Sequence, residues 1–444
     1  MSRLLHTLAL AVFFAALPGR ADWPDFRGPR CDGRAVPQGQ TNVIGLPLHW
    51  SDSQNVKWKT AIPERGWSSP VVLGSQVWLT TATMDGHDFF AICVDADSGN
   101  ILFNQKLFHC DRPEPLGNDL NCYASPSPVI EPGRVYVHFG SYGTACLDTA
   151  TFKVIWKRDD LPCHHYRGPG SSPILYSNLL VLTMDGIDVE YVVALDKMTG
   201  KTVWKTDRTS AWNDLGSDGK PMGGGDFRKA FSTPIIIDTD AGPQMLTTCS
   251  KSIISYDPAT GRELWKVRHA GYTPASRPVY DKGIAYVSTG NGKAEMLAVR
   301  VDGHGDVTDS KVVWRFGHGP PRQPSVVIND GLIFMVNDSG IASCVECATG
   351  NELWRERVGG EFSASVLYGD GRIYCFSRSG TATVLKAGRT FEVLARNQMG
   401  AGFMASPAVS GRALYLRDKT ALYRIEDGAS TPANHTDGDV RGLR

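Results

Sequence analysis

The chain has 444 residues, with 46 basic and 46 acidic side chains and a formal net charge of zero. So even a balance, with no long run of one sign, argues against nucleic acid or an anionic membrane as the main partner, because both require a basic face. Forty-seven glycines, 26 prolines and 11 tryptophans point to many short strands joined by tight turns.

The chain opens with an export signal over residues 1–21. Arg3 supplies a basic start, Leu4 to Leu17 is apolar except at His6 and Thr7, and Gly19 and Ala21 are small residues at a cleavage site. The apolar stretch is too short for a spanning helix, and no later one is long enough. Export to the periplasm or the extracellular space is therefore expected. Residues 22–55 read as an extended segment, opened by Trp23-Pro24-Asp25-Phe26-Arg27-Gly28-Pro29, and 428–444 as a polar, disordered tail.

Between them, residues 56–427 repeat one pair of phrases. The first is a hydroxyl-bearing residue, usually followed by proline, and then a β-rich run. It begins at Ser69-Pro70, Ser127-Pro128, Ser172-Pro173, Thr233-Pro234, Arg277-Pro278, Gln323-Pro324, Ala364-Ser365 and Ser406-Pro407. The second is an apolar strand, an acid, a turn and an outer strand ending in an aromatic residue. The clearest copy runs from Ala194 through Asp196 and Gly200 to Trp204. Others end at Phe103, Trp156, Trp265, Trp314 and Trp354. A degenerate copy spans Lys386 to Leu394. The acid accepts backbone N–H groups in the turn, the glycine closes it, and the tryptophan offers a flat apolar face to the next unit. One sheet cannot bury that face, whereas a ring of sheets can.

Eight starts predict an all-β, eight-bladed β-propeller of four-stranded blades. The eighth lacks an outer strand, and Asn55-Val56-Lys57-Trp58-Lys59 carries the matching ending. The N-terminal strand is therefore expected to complete blade 8 and close the ring, which removes exposed sheet edges. Trp58, Trp156, Trp204, Trp265, Trp314 and Trp354 are assigned the structural role of docking one blade on the next.

The pattern at 194–204 resembles the tryptophan-docking motif of pyrroloquinoline quinone (PQQ) dehydrogenase propellers. The whole chain is more similar to PQQ-like repeat proteins of planctomycetes. The likeness rests on the opening Trp23 to Pro29, Gly66-Trp67-Ser68-Ser69-Pro70, Tyr191 to Lys197, Gly305-Asp306-Val307-Thr308 and Phe403-Met404-Ala405-Ser406-Pro407. A sister group is the periplasmic propeller of the outer-membrane assembly machine, a lipoprotein scaffold. This chain has no cysteine in a lipid-attachment context. The likeness implies the fold and does not imply an activity.

Catalytic signatures are sparse. PQQ dehydrogenases carry a Cys-Cys pair, and none is present here; no calcium ligands or catalytic base can be assigned by motif. No cofactor is predicted, and PQQ with calcium enters only under an oxidoreductase alternative. No metal site is predicted. Cys93, Cys146 and Cys344 each stand two residues before a turn acid and read as small buried hydrophobes. Cys110, Cys122 and Cys163 are candidates for pairing, with open connectivity. The loop from Thr206 to Gly225 reads as a flexible flap.

The loops preceding the inner strands should gather at one channel mouth. They bring Arg65, Trp67, Tyr123, His165, Arg167, Arg228, Phe231, Tyr272, Arg322, Phe362 and Phe403. Aromatic and cationic groups around a concave mouth suit a sugar, an anionic small molecule or an extended peptide. The same residues equally suit a polar rim with aromatics plugging the channel. The expected function is a non-enzymatic binding or scaffold propeller of the envelope. Its partner is an envelope protein or a glycan, and the chain itself is a monomer. The alternatives are a PQQ-dependent alcohol or sugar oxidoreductase and a carbohydrate-binding protein.

Overall fold

The computed structural model describes residues 22–36, 40 and 43–428. The expected export signal, residues 1–21, and all but the first residue of the expected polar tail, 428–444, lie outside the described residues. Eight antiparallel sheets form the closed ring that the repeat predicts. The inner strands of blades 1 to 8 are Val71–Leu73, Val129–Glu131, Ile174–Tyr176, Ile235–Thr239, Val279–Asp281, Val327–Asn329, Leu367–Gly369 and Ala408–Ser410. Blade 8 takes its outer strand, Val56–Ala61, from before blade 1. No helix among the described residues is long and apolar enough to cross a membrane.

The core lies between blades. One cluster joins Val181 and Val192 of blade 3 to Met245 and Ile254 of blade 4, and another joins Trp78 and Phe89 of blade 1 to Val135 and Phe139 of blade 2. The turns repeat as the sequence predicts. The Asp196 carboxylate accepts N–H bonds from Met198 (3.1 Å) and Thr199 (2.8 Å) and the Thr199 hydroxyl (2.8 Å). Gly200 adopts φ +72°, and a Cβ there would stand 2.7 Å from the ring of Trp156 in the preceding blade.

A register shift recurs beside each outer-strand aromatic. Trp156 pairs with Cys146 and Trp204 with Ala194, and the residue before each tryptophan is skipped in the ladder. This β-bulge turns the indole toward the next blade and leaves the skipped Ile155 and Val203 exposed. It also explains the small residues opposite the rings, including Cys93, Cys146 and Cys344. All ten cysteines are free, Cys110, Cys122 and Cys163 among them.

The aromatic contacts are not uniform. The indole N–H groups of Trp58, Trp156, Trp314 and Trp354 donate to carbonyls of the following blade, at Ala96, Lys197, Cys347 and Gly388. The Trp204 indole lies over Gly261, with its N–H unpaired. Trp265 donates instead to Gln244 of its own blade (2.9 Å). A fifth strand, Gly305–Asp306, pairs in parallel with the outer strand of blade 4 and lies directly opposite Trp265. The long turn before Trp314 supplies this strand, a role its Gly305-Asp306 motif did not reveal.

The start phrases form a belt around the channel. The backbone N–H of Ser69 donates to the Ser127 hydroxyl (2.8 Å), Ser127 to Ser172 (2.9 Å) and Ser172 to Thr233 (2.9 Å). The sequence of bonds resumes from Arg277 to Ser325, then Ser365, then Ser406, and closes from Ser406 to Ser69 (3.0 Å). Blade 6 therefore starts at Ser325 rather than Gln323, because Ser325 occupies the belt position two residues before the inner strand.

Residues 22–36 form a strap across the channel. Trp23 pairs with Val72 of blade 1, and the Pro24 carbonyl accepts from Ile130 of blade 2. Arg277 of blade 5 donates to Asp25 (2.9 Å) and to the Phe26 carbonyl. Arg27 donates to the Val326 carbonyl and Arg34 to that of Ile328, both in blade 6 (2.5 Å each). The strap reaches blade 7 through Ala35 and Tyr368. It satisfies inner-strand edges that no neighbouring strand can reach. Residues 44–50 then dock on blade 7, where three backbone N–H groups converge on Asp370 and Trp50 stacks on Tyr374.

Candidate functional site

The belt precedes the inner strands and the strap pairs with them, so the strap closes the channel below the belt. Above it lies a cavity of about 390 Å³. Phe26 of the strap forms its floor, and the hydroxyls of Ser69, Ser127, Ser172, Thr233, Ser365 and Ser406 ring its lower wall. Trp67, Phe231, Tyr272 and Met404 supply apolar surface above. A wider depression at the rim shares Trp67, Leu120 and Met404 with the cavity, making the mouth a funnel.

Four of the eleven mouth candidates line the cavity: Trp67, Arg167, Phe231 and Tyr272. Arg65 lines the rim depression, its guanidinium 4.8 Å from the Trp67 ring centroid. The other six stand elsewhere. Tyr123 is buried, with its hydroxyl on the Glu114 carbonyl (2.6 Å). Phe362 and Phe403 are buried, and Phe403 packs against Phe376. Arg228 forms a two-toothed pair with Asp214 (2.9 Å each) and lies over Trp212. Arg322 bonds Asn291 (3.1 Å) near Asp338. His164 and His165 diverge as adjacent residues should: His164 is exposed and His165 is buried.

His165 belongs to a polar cluster behind Phe231. The Lys229 ammonium donates to His165 Nδ1 (2.9 Å) and to the Asp185 carbonyl (2.8 Å), and lies 4.9 Å from the Phe231 ring centroid. Asp185 pairs with Arg208 through two bonds, of 2.6 and 2.8 Å. Burial, and then the Lys229 charge, hold His165 well below its usual pKa. Burial, and then the nearby Asp185 charge, push Glu190 well up. The 206–225 loop is not a free flap: Arg208, the Trp212 bond to Glu190 (3.1 Å) and the Arg228–Asp214 pair tie it down.

Much of the polar wall is internally occupied. Arg167 grips both oxygens of Asp226, at 2.7 and 2.9 Å, a contact that raises the guanidinium pKa. Asn121 donates to the Arg167 and Pro169 carbonyls. Gln323 Oε1 accepts from Ser363 and Arg378. Asn291 donates to Thr273.

A quinone cofactor with a calcium ion requires free anionic oxygen ligands. Among the described residues Asp226 is the one carboxylate lining the cavity, and Arg167 occupies both its oxygens. The lining residues therefore do not fit that group. No cluster of three or more His, Cys, Asp or Glu suited to a metal occurs among the described residues.

Position in a loop does not encode side-chain direction, so sequence reasoning selected six residues that face away from the cavity. It missed Phe26, Asp226, Asn291 and the belt hydroxyls. One signal was available: Arg277 is the only start dipeptide with a charged residue, and it marks where the strap docks.

A family model described as outer membrane protein assembly factor BamB matches residues 51–238 and 299–430. A protein of that name from Yersinia pestis is 24% identical over 176 residues, 38% of this chain and 39% of its own length. The chain thus spans well under half of that curated relative. Among solved structures, quinohemoprotein alcohol dehydrogenase from Comamonas testosteroni has a TM-score of 0.65 at 13% identity, covering 96% of this chain and 83% of its own. BamB from Moraxella catarrhalis has a TM-score of 0.59 at 11% identity, covering 83% of this chain and 99% of its own. At such identities the structural likeness shows the fold alone.

Proposed function

The chain belongs to the PQQ-like propeller family described as outer membrane protein assembly factor BamB, and from that membership we propose a non-catalytic binding propeller of the cell envelope whose ligand or partner engages the channel mouth. The observation that carries this reading is the floored cavity of about 390 Å³ under an open rim. Its aromatic surface and hydroxyl wall suit binding. Among the described residues, the one carboxylate lining the cavity is held by Arg167 through both oxygens, an arrangement that does not suit it to act as a general acid or base. The leader-like residues 1–21 and the relatives' name support a place in the envelope. The quinoprotein alternative finds no support in the donor set.

Thermal unfolding tests the reading. Phenyl phosphate, benzyl alcohol and glucose serve as probes of the cavity, with PQQ plus Ca²⁺ as the contrasting addition. A ligand at a hundredfold excess over its Kd stabilises by about 2.7 kcal/mol. At least one of the three probes should raise the midpoint, and Leu120→Trp, at the exposed rim, should remove the rise. A rise requiring PQQ and Ca²⁺ together, with dye reduction by an alcohol, would overturn the proposal in favour of an oxidoreductase. No rise with any probe would rule out the cavity as a small-molecule site.

A further inference from the structure

We propose that the cavity takes a small organic oxyanion, a carboxylate or phosphate carried on a ring-sized body, with the charged head on the hydroxyl belt and the body toward the mouth. This inference rests on the mouth-binding reading above and specifies its ligand class.

The belt fixes which hydrogen-bond role is free. Each belt hydroxyl that lines the cavity accepts one backbone N–H, as with Ser127 from Ser69, Ser172 from Ser127, Thr233 from Ser172 and Ser69 from Ser406. Ser365 and Ser406 do the same. A hydroxyl has one proton to donate, and among the described residues no acceptor takes it from any of these six. All six residues are nearly fully buried and line the cavity. A ring of buried O–H donors without acceptors carries an unmet hydrogen-bonding demand. An acceptor-rich head meets it from the channel axis.

The charge beneath the cavity has the matching sign. Arg27, Arg34 and Arg277 are each under 3% exposed, and of the three strap carboxylates Asp22 accepts from the Gly74 N–H, Asp25 pairs with Arg277 and Asp32 pairs with the more exposed Arg30 (3.4 Å), so Arg27 has no carboxylate of its own. Arg277 is matched by Asp25, whereas Nε and Nη1 of Arg27 have no partner. Burial above all, aided by Arg277, lowers the Arg27 pKa to about 9, which still leaves it cationic at neutral pH. A surplus positive charge next to Phe26, screened by little water, favours an anion over a neutral ligand.

The shape sets the orientation. Hydroxyls occupy the deep end, while Trp67, Leu120 and Met404 continue into the rim depression. An apolar cavity of about 150 Å³ holds one benzene ring. The volume of about 390 Å³ therefore admits a ring together with its charged head.

Isothermal titration at low ionic strength, with benzoate, phenyl phosphate and neutral benzyl alcohol, tests the proposal on the exported chain. Both anions should bind at least tenfold more tightly than benzyl alcohol, and the tighter of the two identifies the head group. Ser172→Ala should weaken anion binding about fivefold, and Ser172→Thr, which keeps the hydroxyl, should restore it. Benzyl alcohol binding as tightly as the anions would overturn the oxyanion assignment while leaving the mouth-binding reading intact. No binding by any of the three would overturn the oxyanion assignment and, with it, the cavity as a site for a small ring-bearing molecule. The comparison between ligands in the unmodified protein decides the matter even if Ser172→Ala fails to fold.

Discussion

Blades 3 and 5 meet the channel differently. Blade 3 presents Ser172, a small hydroxyl that accepts the backbone of its neighbour and lines the cavity. Blade 5 presents Arg277 at the same position, and its guanidinium turns down to Pro234, Asp25 and Phe26. The belt is interrupted there, with no hydroxyl to receive the Thr233 N–H. The difference shows where the repeat gives way: blade 5 abandons the shared solution so that a non-repeating strap can be anchored beneath the cavity.

The largest expected effect comes from erasing that difference. Arg277→Ser supplies the missing hydroxyl, yet it strips Asp25 of its buried partner. Burial already raises the Asp25 pKa, against the opposing pull of Arg277. Removing one member of a buried ion pair costs about 3–5 kcal/mol. Denaturant unfolding should show a loss of that size, with partial recovery when Asp25→Asn is added. A variant as stable as the parent would mean that belt continuity outweighs the anchor.

A second comparison concerns the blade joints. Between blades 2 and 3, Trp156 lies on Gly200; between blades 1 and 2, Phe103 stacks on Phe152 at 5.3 Å. The smaller aromatic is matched by a larger turn residue, which holds φ +59° without being glycine. Gly200→Ala brings a methyl group into the Trp156 ring at a left-handed position and should cost about 2 kcal/mol. Phe152→Gly should cost about 3 kcal/mol by opening a void under Phe103. Adding Phe103→Trp to Phe152→Gly rebuilds the glycine-type joint and should recover at least about 1 kcal/mol, a coupling that a double-mutant cycle measures. Strict additivity would show the two rings to be independent.

These joints also show what was legible. The acid, the turn and the tryptophan are local neighbours, so their spacing exposed the blade count and the ring closure. The belt was visible only as Ser-Pro or Thr-Pro starts, because its bonds join residues about 40 to 60 apart whose adjacency exists only in the ring. Pro324 marks Gln323 as a start, whereas the hydroxyl that fills the belt position belongs to Ser325, after the proline. The strap left a motif, Trp23 to Pro29, with no partner in sequence. Its partners lie in blades 1, 2, 5, 6 and 7. Phe362 and Phe403 sit in the right loops and point into packing, a choice that depends on neighbouring blades.

The smallest effect should come from the turns that every blade shares. Backbone N–H bonds from Ser98 and Thr151 lead the causes that hold Asp95 and Asp148 below the usual carboxylate pKa, and the Thr199 hydroxyl leads at Asp196. A carboxylate with a depressed folded-state pKa contributes stability that is fully present above its unfolded value, near 3.9, and lost as pH falls through the folded value. These turns are therefore inert to pH at neutrality and weaken only in acid. Asp95→Asn, Asp148→Asn and Asp196→Asn combined should lower stability slightly at pH 7 and flatten its decline below about pH 4. Because the carboxylates are partly open to solvent, water screens them and the change should stay well below that of Arg277→Ser. An equally steep acid limb in the triple variant would show that these three turn carboxylates do not set the acid sensitivity.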